Sequence, residues 1–347
     1  MDGERRRDQS RHERARHERA QYSGAGRKSE VHGERQRSVH GRRRESGRER
    51  GRGLSREPQS RRPSGPARDP QTVTALNPTA DEDRFSFTPF TRHPFFAHVN
   101  NWILERVICP GRQVIVDLGC GPGAITELIL EHVRDQQPPP HVIGVDPSPS
   151  ALAKARAAIS SKFAEFVQGS AEWLSRLVKS ADAVVFLNAI HLMPDKVQVL
   201  KEIRRVLKPG GLLAFNSTFF NGAYVEGTSG FWRRWVVRSV QALREKGIEV
   251  KHTGHAAAME WFSADQYAAA LKDAGYRPTT VELLRVEMTR QALIDIGRFS
   301  LFIEGALPGA PLEAGAEALE VGLERTMEEL KVESVPRHWL EVVAEAV

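Results

Sequence analysis

The stretch Gln113-Val-Ile-Val-Asp-Leu-Gly-Cys-Gly-Pro-Gly123 constrains this chain more than any other. Gln113–Leu118 is short, uninterrupted and rich in β-branched residues, which is the pattern of a strand buried on both faces. The glycines that follow allow a sharp turn and a close approach of backbone to a ligand. A helical pattern then runs over Ala124–Val133. A buried strand that feeds a helix through a glycine turn opens a layered α/β fold.

The same alternation continues downstream. His141–Val145 reads as a second strand ended by Asp146, and Pro147 suits the first turn of a helix through Ala151–Ala158. Phe163–Val167 and Ala183–Leu187 read as a third and a fourth strand. Lys196–Leu207 is amphipathic, with Val197, Leu200, Ile203, Val206 and Leu207 on one face. Lys208-Pro-Gly-Gly211 ends that helix, and Leu212–Phe215 begins a fifth strand. Ser263 is placed to cap a helix to Ala274, stopped by Gly275; Thr279–Val286 then makes another strand, and Trp339, Leu340, Val342 and Val343 make a last one. The expected architecture is a doubly wound, mostly parallel seven-stranded sheet with its ligand crevice at the carboxyl ends of the strands. Two helical pieces, 229–246 and 289–331, are too long for connecting loops, so helical cap insertions are expected at about 220–255 and 289–331.

Composition divides the chain in two. Residues 1–70 hold 20 Arg and 1 Lys against 11 Asp and Glu, with only nine apolar positions. So little apolar surface cannot offset the entropy of ordering, so 1–72 is expected to be a disordered Arg-rich tail. No Met falls between Met1 and Met193 and folded-type sequence begins at Val73, so the tail is expected to be untranslated, with initiation at Val73. The whole chain carries +6, yet residues 71–347 carry −4, which argues against a basic nucleic-acid-binding catalytic domain. No transmembrane run or secretory signal is apparent. Cys109 and Cys120 read as free thiols of a reducing, cytoplasmic compartment. They lack metal-ligand spacing, and His252 and His255 lack a third partner, so no metal is expected.

Gly119, Gly121 and Ala124 also fit a dinucleotide fingerprint, which keeps an NAD(P)-dependent oxidoreductase open as an alternative. Asp117 argues the other way. A carboxylate just ahead of the loop repels a pyrophosphate and attracts an ammonium group.

The acidic-x-Gly-x-Gly-x-Gly run of Asp117–Gly123 resembles the first motif of the class I S-adenosylmethionine-dependent methyltransferases. The resemblance covers most of residues 95–288 and is to the small-molecule type, similar to the ubiquinone- and menaquinone-biosynthesis methyltransferases. It implies a Rossmann-like methyltransferase fold and S-adenosylmethionine as cofactor. Asp117, Gly119, Cys120, Gly121 and Gly123 would then surround the methionyl end, with loop N–H groups facing its carboxylate. Asp146 and Pro147 would lie at the ribose, and Ser170, Ala171 and Glu172 at the adenine. Ser170 stands where the family often has Asp. Asn188, which opens the segment after the fourth strand, would also bind the cofactor, and Leu207-Lys-Pro-Gly-Gly-Leu212 matches the motif before the fifth strand.

Methyl transfer needs a nucleophile held in line with an activated methyl, so few catalytic groups are required. His191, just past the fourth strand, is the candidate general base. Phe219, Phe220, Tyr224, Trp232 and Trp235 are candidates for an apolar acceptor pocket, and Phe95–Val107 for a helix closing over the cofactor. The expected function is methyl transfer to a small, fairly apolar metabolite. A cofactor-binding or RNA-associated protein using the basic tail is the non-enzymatic alternative.

Overall fold

A computed structural model describes residues 84–250 and 260–347. The Arg-rich stretch 1–72, the expected start at Val73, and His252 and His255 lie outside the described residues. Two helices lead in, α1 (Thr88–Thr91) and α2 (Pro94–Val107). The alternating core follows: β1 (Val114–Leu118), α3 (Ala124–His132), β2 (His141–Asp146), α4 (Pro149–Ala158), β3 (Ala164–Gln168), α5 (Leu174–Leu177), β4 (Ala181–Leu187), α6 (Lys196–Val206) and β5 (Leu207–Ser217). Then come α7 (Ser229–Glu245), α8 (Ala264–Asp273), β6 (Tyr276–Thr289), α9 (Arg290–Gly297), α10 (Ser300–Ala306), α11 (Leu312–Leu330) and β7 (Ser334–Ala346). Side-chain caps set several helix starts: Ser148 accepts from the Ala151 N–H, Asp195 from Gln198, and Ser263 forms a reciprocal capping box with Gln266.

The seven strands form one sheet in the order β3-β2-β1-β4-β5-β7-β6. The pairs from β3 to β5 are parallel, and β7 runs antiparallel to both β5 and β6. Strand order reverses between β1 and β4, and a crevice opens at such a switch point beyond the carboxyl ends. Residues alternate between faces along β4. Ala183, Val185 and Leu187 join a core with α2, α3 and helices α7 and α9–α11; Val184 and Phe186 join a second core with α6 and α8.

Three elements depart from the sequence reading. Lys208-Pro-Gly-Gly211 does not stand between helix and strand but inside β5: Ala181 pairs with Leu207, whereas Ala183 pairs with Leu212. Proline cannot donate to the ladder and Gly210 sits at φ +73°, so the four residues loop out as a bulge. The antiparallel pair of β6 and β7 is longer than its apolar runs, pairing from Tyr276–Ala346 to Thr289–Ser334. The middle of β6 is exposed at Val281 and Leu283, which removes the alternation that would mark its ends. The region 289–331 is three helices rather than one, broken at Arg298–Phe299 and at the Pro308-Gly309 turn.

The helices outside the alternating core are held closely. Trp235 Nε1 on α7 donates to the Leu319 carbonyl of α11 at 2.7 Å. A Cβ on Gly322 would fall 2.3 Å from Ser239 Oγ, so only glycine permits this crossing. Among the described residues no helix is long and apolar enough to cross a membrane, and no group of three or more His, Cys, Asp or Glu is placed to hold a metal ion.

Candidate active site

β1 delivers Asp117 to the carboxyl edge of the sheet, and the chain turns into α3 through Gly119 (φ +71°), Gly121 (φ +53°) and Gly123 (φ +98°). These left-handed conformations favour glycine. The loop N–H groups have internal partners: Gly119 and Cys120 donate to the Val145 carbonyl at 2.7 and 3.1 Å, Gly121 donates to Asp146 Oδ2 at 2.8 Å, and Gly123 donates to the Cys120 carbonyl at 3.0 Å. The sequence reading had these groups facing a ligand carboxylate. Because β2 lies beside β1, those of Gly119, Cys120 and Gly121 meet the end of β2, and that of Gly123 closes the turn on Cys120.

Two carboxylates flank the turn. Asp117 is 1% exposed and accepts a hydrogen bond from the Thr126 hydroxyl at 2.6 Å. Burial pushes its pKa up to about 7; the Thr126 contacts oppose the shift and the neighbouring Asp146 charge adds to it. Asp146 accepts from the N–H groups of Ser148 (2.9 Å) and Gly121 (2.8 Å), and burial raises it as well. No lysine or arginine is among the groups that shift either one. Such a pair of acceptors suits a ligand carrying a positive charge and hydroxyls, and it disfavours a pyrophosphate.

The remaining loop residues lie around this pair. A Cβ on Gly121 would meet nothing within 4 Å, so this point of the turn faces open space. The Gly169 N–H donates to the Asp146 carbonyl at 3.0 Å, which brings Ser170, Ala171 and Glu172 beside it, while Pro147 is exposed. The Cys120 thiol is buried, and burial with the two aspartates pushes its pKa up, so it fills space rather than reacting.

The segment after β4 joins this turn to a second site. Asn188, at φ +56°, donates from Nδ2 to Asn100 Oδ1 of α2 (3.1 Å), and its Oδ1 accepts from Trp339 Nε1 (3.2 Å). Its side chain is thereby turned into a buried network containing Asn216 and Glu341. Burial raises the Glu341 pKa well above the usual carboxylate range. Next, Ala189 Cβ lies 3.3 Å from where a Cβ on Gly119 would sit. Two residues further, His191 is 6% exposed with Nδ1 3.1 Å from Ser217 Oγ. Burial, with the Lys196 and Arg337 charges, pushes its pKa down to about 3, so the imidazole is neutral at physiological pH.

His191 opens onto a cavity of about 150 Å³, lined by Phe219, Tyr224, Trp232 and Trp235. Phe220 is elsewhere, packed in the second core. The cavity also includes Trp261, Phe302 and Arg337, none of which the sequence reading selected. Arg337 had a signal: it shares strand parity with Val335 and Trp339, so period-two alternation puts it on the inner face.

Residues 116–215 match a family model described as a methyltransferase domain. The match takes in 100 of the 347 residues, so the likeness is to a methyltransferase domain over that stretch. The matched stretch runs from within β1 to within β5, so α2, helices α7 and α9–α11 and the antiparallel strands β6 and β7 lie outside it. Trans-aconitate 2-methyltransferase from Azoarcus sp. (strain BH72) is 36% identical over 118 residues, covering 32% of this chain and 42% of that protein. Ubiquinone biosynthesis O-methyltransferase from Pseudomonas fluorescens (strain SBW25) is 32% identical over 120 residues, covering 34% of this chain and 49% of that protein. The chain thus spans less than half the length of these curated relatives. Among solved structures, the YcgJ protein of Bacillus subtilis aligns over 72% of this chain and 98% of its own, at 16% identity and a TM-score of 0.45.

Proposed function

We propose that the protein transfers a methyl group from S-adenosylmethionine to a small, fairly apolar metabolite held in the aromatic cavity beside His191. The observation that carries this reading is the continuity of the post-β4 segment. Ala189 packs against the glycine turn, and His191 two residues on lines the cavity, so a cofactor at the turn and an acceptor in the cavity would be neighbours. The relatives named for trans-aconitate and for ubiquinone biosynthesis also support a small-molecule acceptor.

When bound, S-adenosylmethionine supplies an activated methyl on a sulfonium centre. Asp117 would face its ammonium group, directly or through water, and Asp146 would accept hydrogen bonds from its ribose hydroxyls. The aromatic walls would exclude water and fix the acceptor, and positioning of this kind is worth about 7–11 kcal/mol. A neutral His191 would hydrogen-bond the acceptor and orient it; taking up a proton would require added negative charge nearby. The two carboxylates, which no lysine or arginine among the described residues offsets, and the loop N–H groups already bonded within the fold count against a dinucleotide at the same place.

The test is incubation of the protein with methyl-labelled S-adenosylmethionine and a fractionated metabolite extract. Label is expected in the small-molecule fraction. Label found only on macromolecules, or on nothing, would contradict the proposal.

A further inference from the structure

The aromatic cavity holds a cation that has no counter-ion among the described residues. Arg337 is 4% exposed, yet it lines the cavity. Its guanidinium carbon lies 4.3 Å from the Trp232 ring centre, 5.2 Å from Tyr224, 5.3 Å from Phe219 and 5.8 Å from Trp261. Nε donates to the Thr218 carbonyl at 3.0 Å and to Thr218 Oγ1 at 2.7 Å, and Nη2 donates to the same carbonyl at 2.7 Å. These bonds fix the plane of the guanidinium from one side. Among the described residues no carboxylate lies within ion-pair distance of it, and the Tyr224 hydroxyl is the group that favours its charge.

A buried cation without an anion is costly, and ring faces recover only part of the lost hydration. The cost is removed if an anion arrives with the ligand. We propose that Arg337 is the specificity residue of the acceptor site and that the acceptor is a ring-sized apolar compound bearing one carboxylate. A dry cavity of roughly 150 Å³ is known to admit a benzene-sized guest, and the guanidinium fork matches the two oxygens of a carboxylate. One cation among aromatic walls balances a single negative charge, whereas a phosphate dianion would leave excess charge buried. The bound carboxylate also offsets the Arg337 charge that opposes protonation of His191.

This inference rests on the proposed methyl transfer only for the identity of the ligand as acceptor, and the test separates the two. Benzoate and its neutral isostere benzamide are titrated into the full chain, with tryptophan fluorescence as readout, in the presence and absence of S-adenosylhomocysteine. Benzoate is expected to bind about tenfold or more tightly than benzamide. Arg337→Gln should abolish that preference, and Arg337→Lys should retain part of it, while affinity for S-adenosylhomocysteine stays unchanged in both. Equal affinities for the two probes in the unmodified protein overturn the proposal without recourse to any variant, as does a benzoate preference that survives Arg337→Gln. Absence of S-adenosylhomocysteine binding sinks the methyltransferase reading while leaving the benzoate comparison interpretable.

Discussion

The Thr126 hydroxyl donates to Asp117 Oδ2 at 2.6 Å, so the first turn of α3 braces the carboxylate near the end of β1. That carboxylate is otherwise desolvated and sits near a second acid, Asp146. It is held near its tipping point between neutral and charged forms, and an incoming cation would favour the charged one.

A pH dependence follows from the raised Asp117 pKa of about 7. Below this value the folded protein keeps the proton, whereas the unfolded chain loses it near the ordinary value of 3.8. The folded state therefore binds more protons between the two values, and the ligand-free protein loses up to about 4 kcal/mol of stability from this group as pH rises through them. Ligand binding runs in the opposite sense, since the ammonium partner needs the ionised carboxylate. Thermal melts should show a larger stabilisation by S-adenosylhomocysteine at pH 8 than at pH 6, and Asp117→Asn should flatten the difference.

Thr126→Val keeps the shape of the side chain and removes the donor. It should cost about 1–3 kcal/mol of stability by leaving the buried Asp117 oxygen unsatisfied. It should also raise the Asp117 pKa further, so cofactor affinity lost at pH 7 is recovered at higher pH. Chemical denaturation and calorimetry at two pH values check both effects.

Gly119→Ala and Gly210→Ala make a matched pair, because both glycines have nearly the same positive φ, +71° and +73°. The backbone penalty of about 1–2 kcal/mol is common to both. Only at Gly119 would the new methyl press on Ala189, at 3.3 Å, and on Phe186, at 3.4 Å; at Gly210 it meets nothing within 4 Å. Both variants should lose stability, and only Gly119→Ala should weaken S-adenosylhomocysteine binding.

The depressed pKa of His191, about 3, means that its ring stays neutral across the working range in the ligand-free protein. Imidazole resonances followed by NMR should show no titration of this residue between pH 5 and 9. A midpoint near the ordinary 6.5 would show that the ring is better solvated than its 6% exposure implies.

The alternating core was legible because buried parallel strands are apolar and punctuated by glycine, as in the run from Gln113 to Gly123. The glycine turn, its two aspartates and the residues after β4 could be located for the same reason. What stayed hidden depends on long-range partners. Strand parity places Arg337 on an inner face, but what it meets there, Trp232, lies over 100 positions earlier in the chain. Thr126 carries no pattern of its own and becomes significant only because Asp117 lies near the end of the preceding strand. Lys208-Pro-Gly-Gly211 reads locally as a helix stop, and only pairing with β4 turns it into a bulge. The inward direction of the loop N–H groups is likewise a consequence of β2 lying beside β1.

Calorimetric titration of the protein with S-adenosylhomocysteine and, separately, with NADH tests the account most directly. Saturable one-to-one binding of S-adenosylhomocysteine, lost in Asp117→Ala, with no saturable heat from NADH, is the predicted result. Binding of NADH in place of the nucleoside, or nucleoside binding that is indifferent to Asp117, would contradict it.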